Sequence, residues 1–176
     1  MTTIDDGLSP ADFAATAARA VAACKDLSVA EQGALLAGDG LLGVIAAEDA
    51  GGLDLPLSFA VPVVAAASAG LLAFPLMEHL LLARALQRHH LPLAKAIVAG
   101  ERMGSIAWAG AVTAKQQGDR IVLNGWVARA PCVSDVGLML VRVGESGAAL
   151  VPTVDVRVDE SGGLDLAQPE LSLIHI

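Results

Sequence analysis

At 176 residues the chain is long enough for one domain or two small ones, each burying a core of its own. Its net charge of −8 excludes nucleic acid as a partner, because phosphate binding needs a basic face that 11 Lys and Arg set against 19 Asp and Glu do not supply. Hydrophobic residues make up 55%, much of it alanine, and the two cysteines, Cys24 and Cys132, follow no metal-ligand spacing and read as reduced cytosolic thiols. The opening MTTIDDGLSP carries neither a basic nor an apolar export region, so a cytoplasmic protein is expected.

Helix punctuation dominates the first hundred residues. Ser9-Pro10-Ala11-Asp12 offers an N-cap, a proline at the first helical position and an acid in the first turn. Phe13, Ala17, Ala20, Val21 and Cys24 then share one helical face. Ser28-Val29-Ala30-Glu31 is a capping box. From Leu55 to Met77 no residue is charged, a run long enough to span a bilayer. Pro56, Pro62, Gly70 and Pro75 interrupt it, and its nearest charges, Asp54 and Glu78, are both acidic, so no membrane span is expected. The expected element is a helix over 58–69 buried on most sides, tolerating Pro62 only near its first turn. Further helices are expected from Leu76 to His89 and from Leu91-Pro92 to a C′ glycine at Gly100.

After Glu101 the period changes to that of strands. Arg120 to Leu123 is expected to be closed by Asn124-Gly125 as a tight turn. Val136 to Val143 reads as a buried strand, Gly144 to Gly147 as a turn, and Val154, Val156 and Val158 as the inner face of a half-exposed strand. The fold class is therefore α+β: an all-α domain over 1–100, then a small β-barrel or sheet domain over 101–170. The final LSLIHI (171–176) matches the translation of a transposase-type sequencing adapter, which makes a truncated chain the expectation.

Chemistry is sparse at this level. There is no GxGxxG and no GxxxxGK[ST]. His79, His89 and His90 do not share ligand spacing and are expected to face solvent near a helix C-terminus, where the dipole favours the cation. Glu48-Asp49 sits in a glycine-bounded loop with nothing apolar to raise a pKa, and reads as a solvated turn. Most conspicuous is GSIAWAGAVTA (104–114), one tryptophan among glycine and alanine. It either lets a backbone approach something flat or packs against the next layer, and packing is the preferred reading.

Three stretches in colinear order resemble acyl-CoA dehydrogenases: GLLGVIAAEDAGGLDLPLS (40–58), LPLAKAIVAGERMGSIAWAG (91–110) and GDRIVLNGWVARAPCVSDVGLMLVRV (118–143). The resemblance covers roughly residues 10–160 and implies an N-terminal helical domain, a middle β domain and a C-terminal helical bundle that is missing here. It further implies α,β-dehydrogenation of an acyl-CoA thioester with hydride transfer to FAD, in a homo- or hetero-oligomer. The catalytic glutamate of such enzymes lies in the missing bundle, so no catalytic residue is assigned. Cofactor contacts fall on Trp108 and Ala109, where the family has a Thr-Glu-Pro/Gly-Ser-Asp loop, and on Ala130 and Pro131, where it has Trp-Ile-Thr/Ser. The first of these loops reads as deleted, so FAD binding is expected to be weak or lost. The alternative is a non-catalytic structural subunit of a heteromeric dehydrogenase. Trp108 itself is either a flavin-stacking ring or a core residue plugging the barrel end.

Overall fold

The computed structural model describes residues 8–128, 130, 131, 136–159 and 170–173. The expected state of Cys132 lies outside these residues. Two compact units divide the chain, 1–101 and 102–176.

The helical unit begins with α1 (Pro10–Ala23), whose first turn is held by Asp12 accepting from both the Ser9 amide and the Ser9 hydroxyl at 2.8 Å. Helix α2 (Val29–Gly38) carries the expected box: the Glu31 amide donates to Ser28 Oγ at 3.4 Å, and the Ser28 amide donates back to Glu31 at 2.8 Å. Between α2 and the next helix, residues 40–55 knot tightly. A buried 3-10 turn (Leu41–Gly43) receives the Leu53 amide on the Gly43 carbonyl, while the Asp54 amide donates to Ala46 O. Gly52 is required there, because a Cβ would overlap the Ala46 carbonyl oxygen.

Helix α3 (Leu57–Ala69) departs from expectation in two ways. Only Ala60, Val63 and Ala67 are buried, a single stripe, while Leu57 and Val61 are exposed. Lack of charge came from a run of small residues rather than from burial on all sides. Pro62 is the sixth residue of the helix, beyond the first turn, so the exposed Ser58 has no helical amide donating to its carbonyl. Phe13 of α1 meets Phe59 of α3 edge-on, with ring centroids 5.5 Å apart. No helix among the described residues is long and apolar enough to cross a membrane.

Helix α4 (Leu76–Leu86) stops three residues short of the expected His89. Helix α5 (Leu91–Val98) ends in a Schellman motif: Gly100, at φ 74°, donates to Ile97 O at 3.0 Å, and Glu101 donates to Ala96 O at 2.9 Å.

The β unit holds two sheets. One has strand order β1-β4-β5, formed by β1 (Gly104–Ala107), β4 (Leu138–Val143) and β5 (Gly147–Pro152), with β1 parallel and β5 antiparallel to β4. The other has order β2-β3-β7-β6, formed by β2 (Ala109–Gln117), β3 (Arg120–Ala128), β6 (Arg157–Asp159) and β7 (Glu170–Leu173), all antiparallel. Ala107, Val112, Leu123, Val127, Ala130, Met139, Val141 and Val151 make the core of this unit. The Gly144 amide donates to Val112 O at 2.9 Å, tying the β4–β5 turn to β2.

Two strand-level expectations are overturned. Asn124-Gly125 is not a turn: β3 runs through it, and Gly118-Asp119 turns the hairpin, with Gly118 at φ 61°. Gly125 serves the ladder instead, since a Cβ there would overlap the Ala111 carbonyl oxygen. The stretch from Val154 to Val158 is likewise not one strand. Thr153–Asp155 forms a 3-10 turn, anchored by Thr153 Oγ1 donating to Val136 O at 2.6 Å, and only Arg157–Asp159 is extended.

Candidate functional site

Among the described residues no three His, Cys, Asp or Glu converge as a metal group. Glu48 and Asp49 are exposed in a 3-10 turn. The histidines divide. His89 and His90 are exposed, and His90 caps α5 by accepting the Leu93 amide on Nδ1 at 3.3 Å. His79, by contrast, is 0% exposed, which corrects its expected place in solvent. Its Nε2 lies 2.9 Å from Ile97 O; a carbonyl only accepts, so this nitrogen carries a proton and ties α4 to the end of α5. Its ring also tilts against Phe74, with centroids 5.0 Å apart.

The residues that the resemblance marks for a cofactor lie on or beside the β1–β2 corner. Trp108 alone separates the two strands, so the chain passes from one sheet to the other without a loop. It is 54% exposed and therefore no core plug. Ala109 opens β2 in register with Ala128, and Ala111 pairs with Trp126. These four share one sheet face, where the half-exposed Trp126 ring is flanked by methyl groups. Trp126 is a surface aromatic that position-by-position matching passed over; its place opposite an alanine is visible only once the hairpin register is known. Ala130 is fully buried within the β core, and Pro131 is half-buried.

Every residue from Ala109 to Gln117 has a partner on β3. The room left by the glycine of this corner is already filled: a Cβ on Gly110 would overlap the Trp126 carbonyl oxygen and come within 2.7 Å of Val127 Cα. Thr113 carries the one hydroxyl between Ala107 and Pro131, and it donates to Asn124 O at 3.1 Å.

No protein-family model and no curated protein matches this sequence. Solved structures do. The chain matches a variant of the Tcur3481–Tcur3483 steroid ACAD with a TM-score of 0.78 and 22% identity, over 94% of this chain and 54% of that one. It matches the ChsE4–ChsE5 complex from Mycobacterium tuberculosis with a TM-score of 0.78 and 25% identity, over 99% and 56%. A glutaryl-CoA dehydrogenase from Mycobacterium smegmatis in complex with FADH2 gives 0.78 and 18%, over 99% and 55%.

The chain therefore has an α+β fold, that of the N-terminal helical and middle β domains of acyl-CoA dehydrogenases. It spans 54–56% of the length of these three structures. Flavin is the group this fold implies. The described residues of the corner do not fit it: Ala109 and Ala130 have no polar side-chain atom, Pro131 lacks even an amide N–H, and the Thr113 hydroxyl is engaged.

Proposed function

We propose that this chain supplies the helical and β parts of an acyl-CoA dehydrogenase-like protein acting on an acyl-CoA thioester by α,β-dehydrogenation, in an oligomer with another dehydrogenase subunit. The observation that carries the reading is the fold match over 94–99% of the chain to acyl-CoA dehydrogenases, one of them a two-component complex by its name.

Removing an α-proton needs a base whose pKa lies near the working pH, a condition that burial imposes on a carboxylate. Every Asp and Glu whose burial the structure describes is exposed, apart from the half-buried Glu78. None of them is suited to that role, and in this reading the base is supplied from outside the described residues.

The test starts at the source gene, read through and beyond the codon for Glu170. Its product, expressed alone and with neighbouring dehydrogenase genes, is assayed on straight-chain, branched and steroid acyl-CoA thioesters with an artificial electron acceptor. The expected outcome is a 2-enoyl thioester from the co-expressed assembly. No oxidation of any of them in either format would refute the proposal.

A further inference from the structure

We infer that the β1–β2 corner, as its described residues form it, holds no flavin in this chain. The inference rests on the dehydrogenase reading above, because that reading is what brings a flavin to the β1–β2 corner. A flavin ring needs a wall to lie against and donors for the nitrogens and carbonyl oxygens along its edge, which lose water when the ring is enclosed. The corner offers no wall, and few donors beyond the two indole N–H groups. One residue joins β1 to β2, so no loop rises to form the wall. The missing Cβ atoms of Gly110 and Gly125 admit the opposite strand's backbone, not a ligand: added carbons would meet Val127 Cα at 2.7 Å and Val112 Cα at 2.8 Å. Ala130 turns its methyl into the core. What the corner does present is two half-exposed indoles, Trp108 and Trp126, and the alanines beside them. The side-chain donors left on this platform are the two indole N–H groups, which can stack and touch a ring but do not line its edge with the several donors that would orient it.

The purified 176-residue chain is dialysed to equilibrium against FAD, with indole fluorescence as a second readout, since both tryptophans lie in the β unit. The wild-type chain is expected to release all flavin on purification and to show no saturable binding below about 1 mM. Ala109→Thr combined with Pro131→Thr places a hydroxyl in each of the two marked stretches and an amide in the second. It is expected to tighten binding at least about tenfold. Thermal melting checks that the variant is folded; if it is not, Ala109→Thr alone, at the exposed start of β2, replaces it.

Stoichiometric FAD on the wild-type chain would overturn the inference while strengthening the dehydrogenase reading. That reading fails on a separate result, the absence of acyl-CoA oxidation by the assembled protein. A folded variant with no gain in affinity would also overturn the inference, since lost donors would then not be the cause.

Discussion

Ser105 is fully buried on β1, and its hydroxyl has no hydrogen-bond partner. A buried hydroxyl stripped of water and given nothing in return destabilises the fold, so Ser105→Ala is expected to raise stability by about 1 kcal/mol in urea unfolding. A decrease would show that the hydroxyl is satisfied in solution. Cys24 is a buried free thiol, and burial first, then the nearby Asp39 charge, pushes its pKa above the ordinary 9.0. Alkylation by iodoacetamide at neutral pH is expected to be at least about tenfold slower in the native chain than in urea. Equal rates would mean the thiol is open to solvent. His79 shows how legibility is lost at this scale. It falls on the same helical face as Leu76, Ala83 and Leu86, all buried, so periodicity did mark it as inward-facing. Its polarity, and its nearness to the exposed His89 and His90, point the other way. The carbonyl that satisfies it belongs to Ile97, a contact no local pattern reveals.

Elements were legible where the signal is local chemistry. Ser28 with Glu31, and Gly100 after α5, act within a few residues, and both work as their spacing implies. Asn124-Gly125 is ambiguous in sequence because the same dipeptide serves a tight turn or a close strand crossing, and only the partner strand decides. The caps also predict a pH dependence. Hydrogen bonds from the Ser28 hydroxyl, then its amide, lower the Glu31 pKa below the ordinary 4.5, and Ser9 does the same to Asp12 from 3.8. A carboxyl whose folded pKa is depressed contributes stability above its unfolded value, and that contribution is lost as pH falls through the folded one. Stability of the helical unit should therefore decline below about pH 4.5, and Ser28→Ala should shrink that decline; an unchanged profile would show the cap to be irrelevant. In α3, Pro62→Ala returns a donor to the Ser58 carbonyl and removes the ring clash. It is expected to stabilise the helical unit by about 2 kcal/mol, measured by thermal melting followed by circular dichroism. A loss would mean that the proline's restriction of the unfolded chain matters more.

For the whole molecule, helices first and strands after was readable from the change of period near Glu101, and the match to acyl-CoA dehydrogenase folds agrees with that order. The candidate site was readable only as a gap. Residues that could be matched to family positions were few, and a match by sequence does not tell a residue's surroundings: the Ala130 methyl sits in the β core. Long-range register decides such cases, as it does for Trp126 beside Ala111.

The single residue joining β1 to β2 also makes the corner a place where the protein can grow. Pairing between β2 and β3 begins at Ala109 with Ala128, and β1 pairs with a different strand altogether. Residues added at Trp108 thus lengthen a joint without shifting either ladder. A graft of about ten residues there should cost only about 2 kcal/mol in loop closure, whereas one extra residue at Asn124 would turn Leu123 or Val127 out of the core. Melting the two insertion variants side by side would show the difference, the first folded and the second not. A lineage, or an engineer, could raise a new wall over the two indoles at that joint while the hairpin beneath stays as it is.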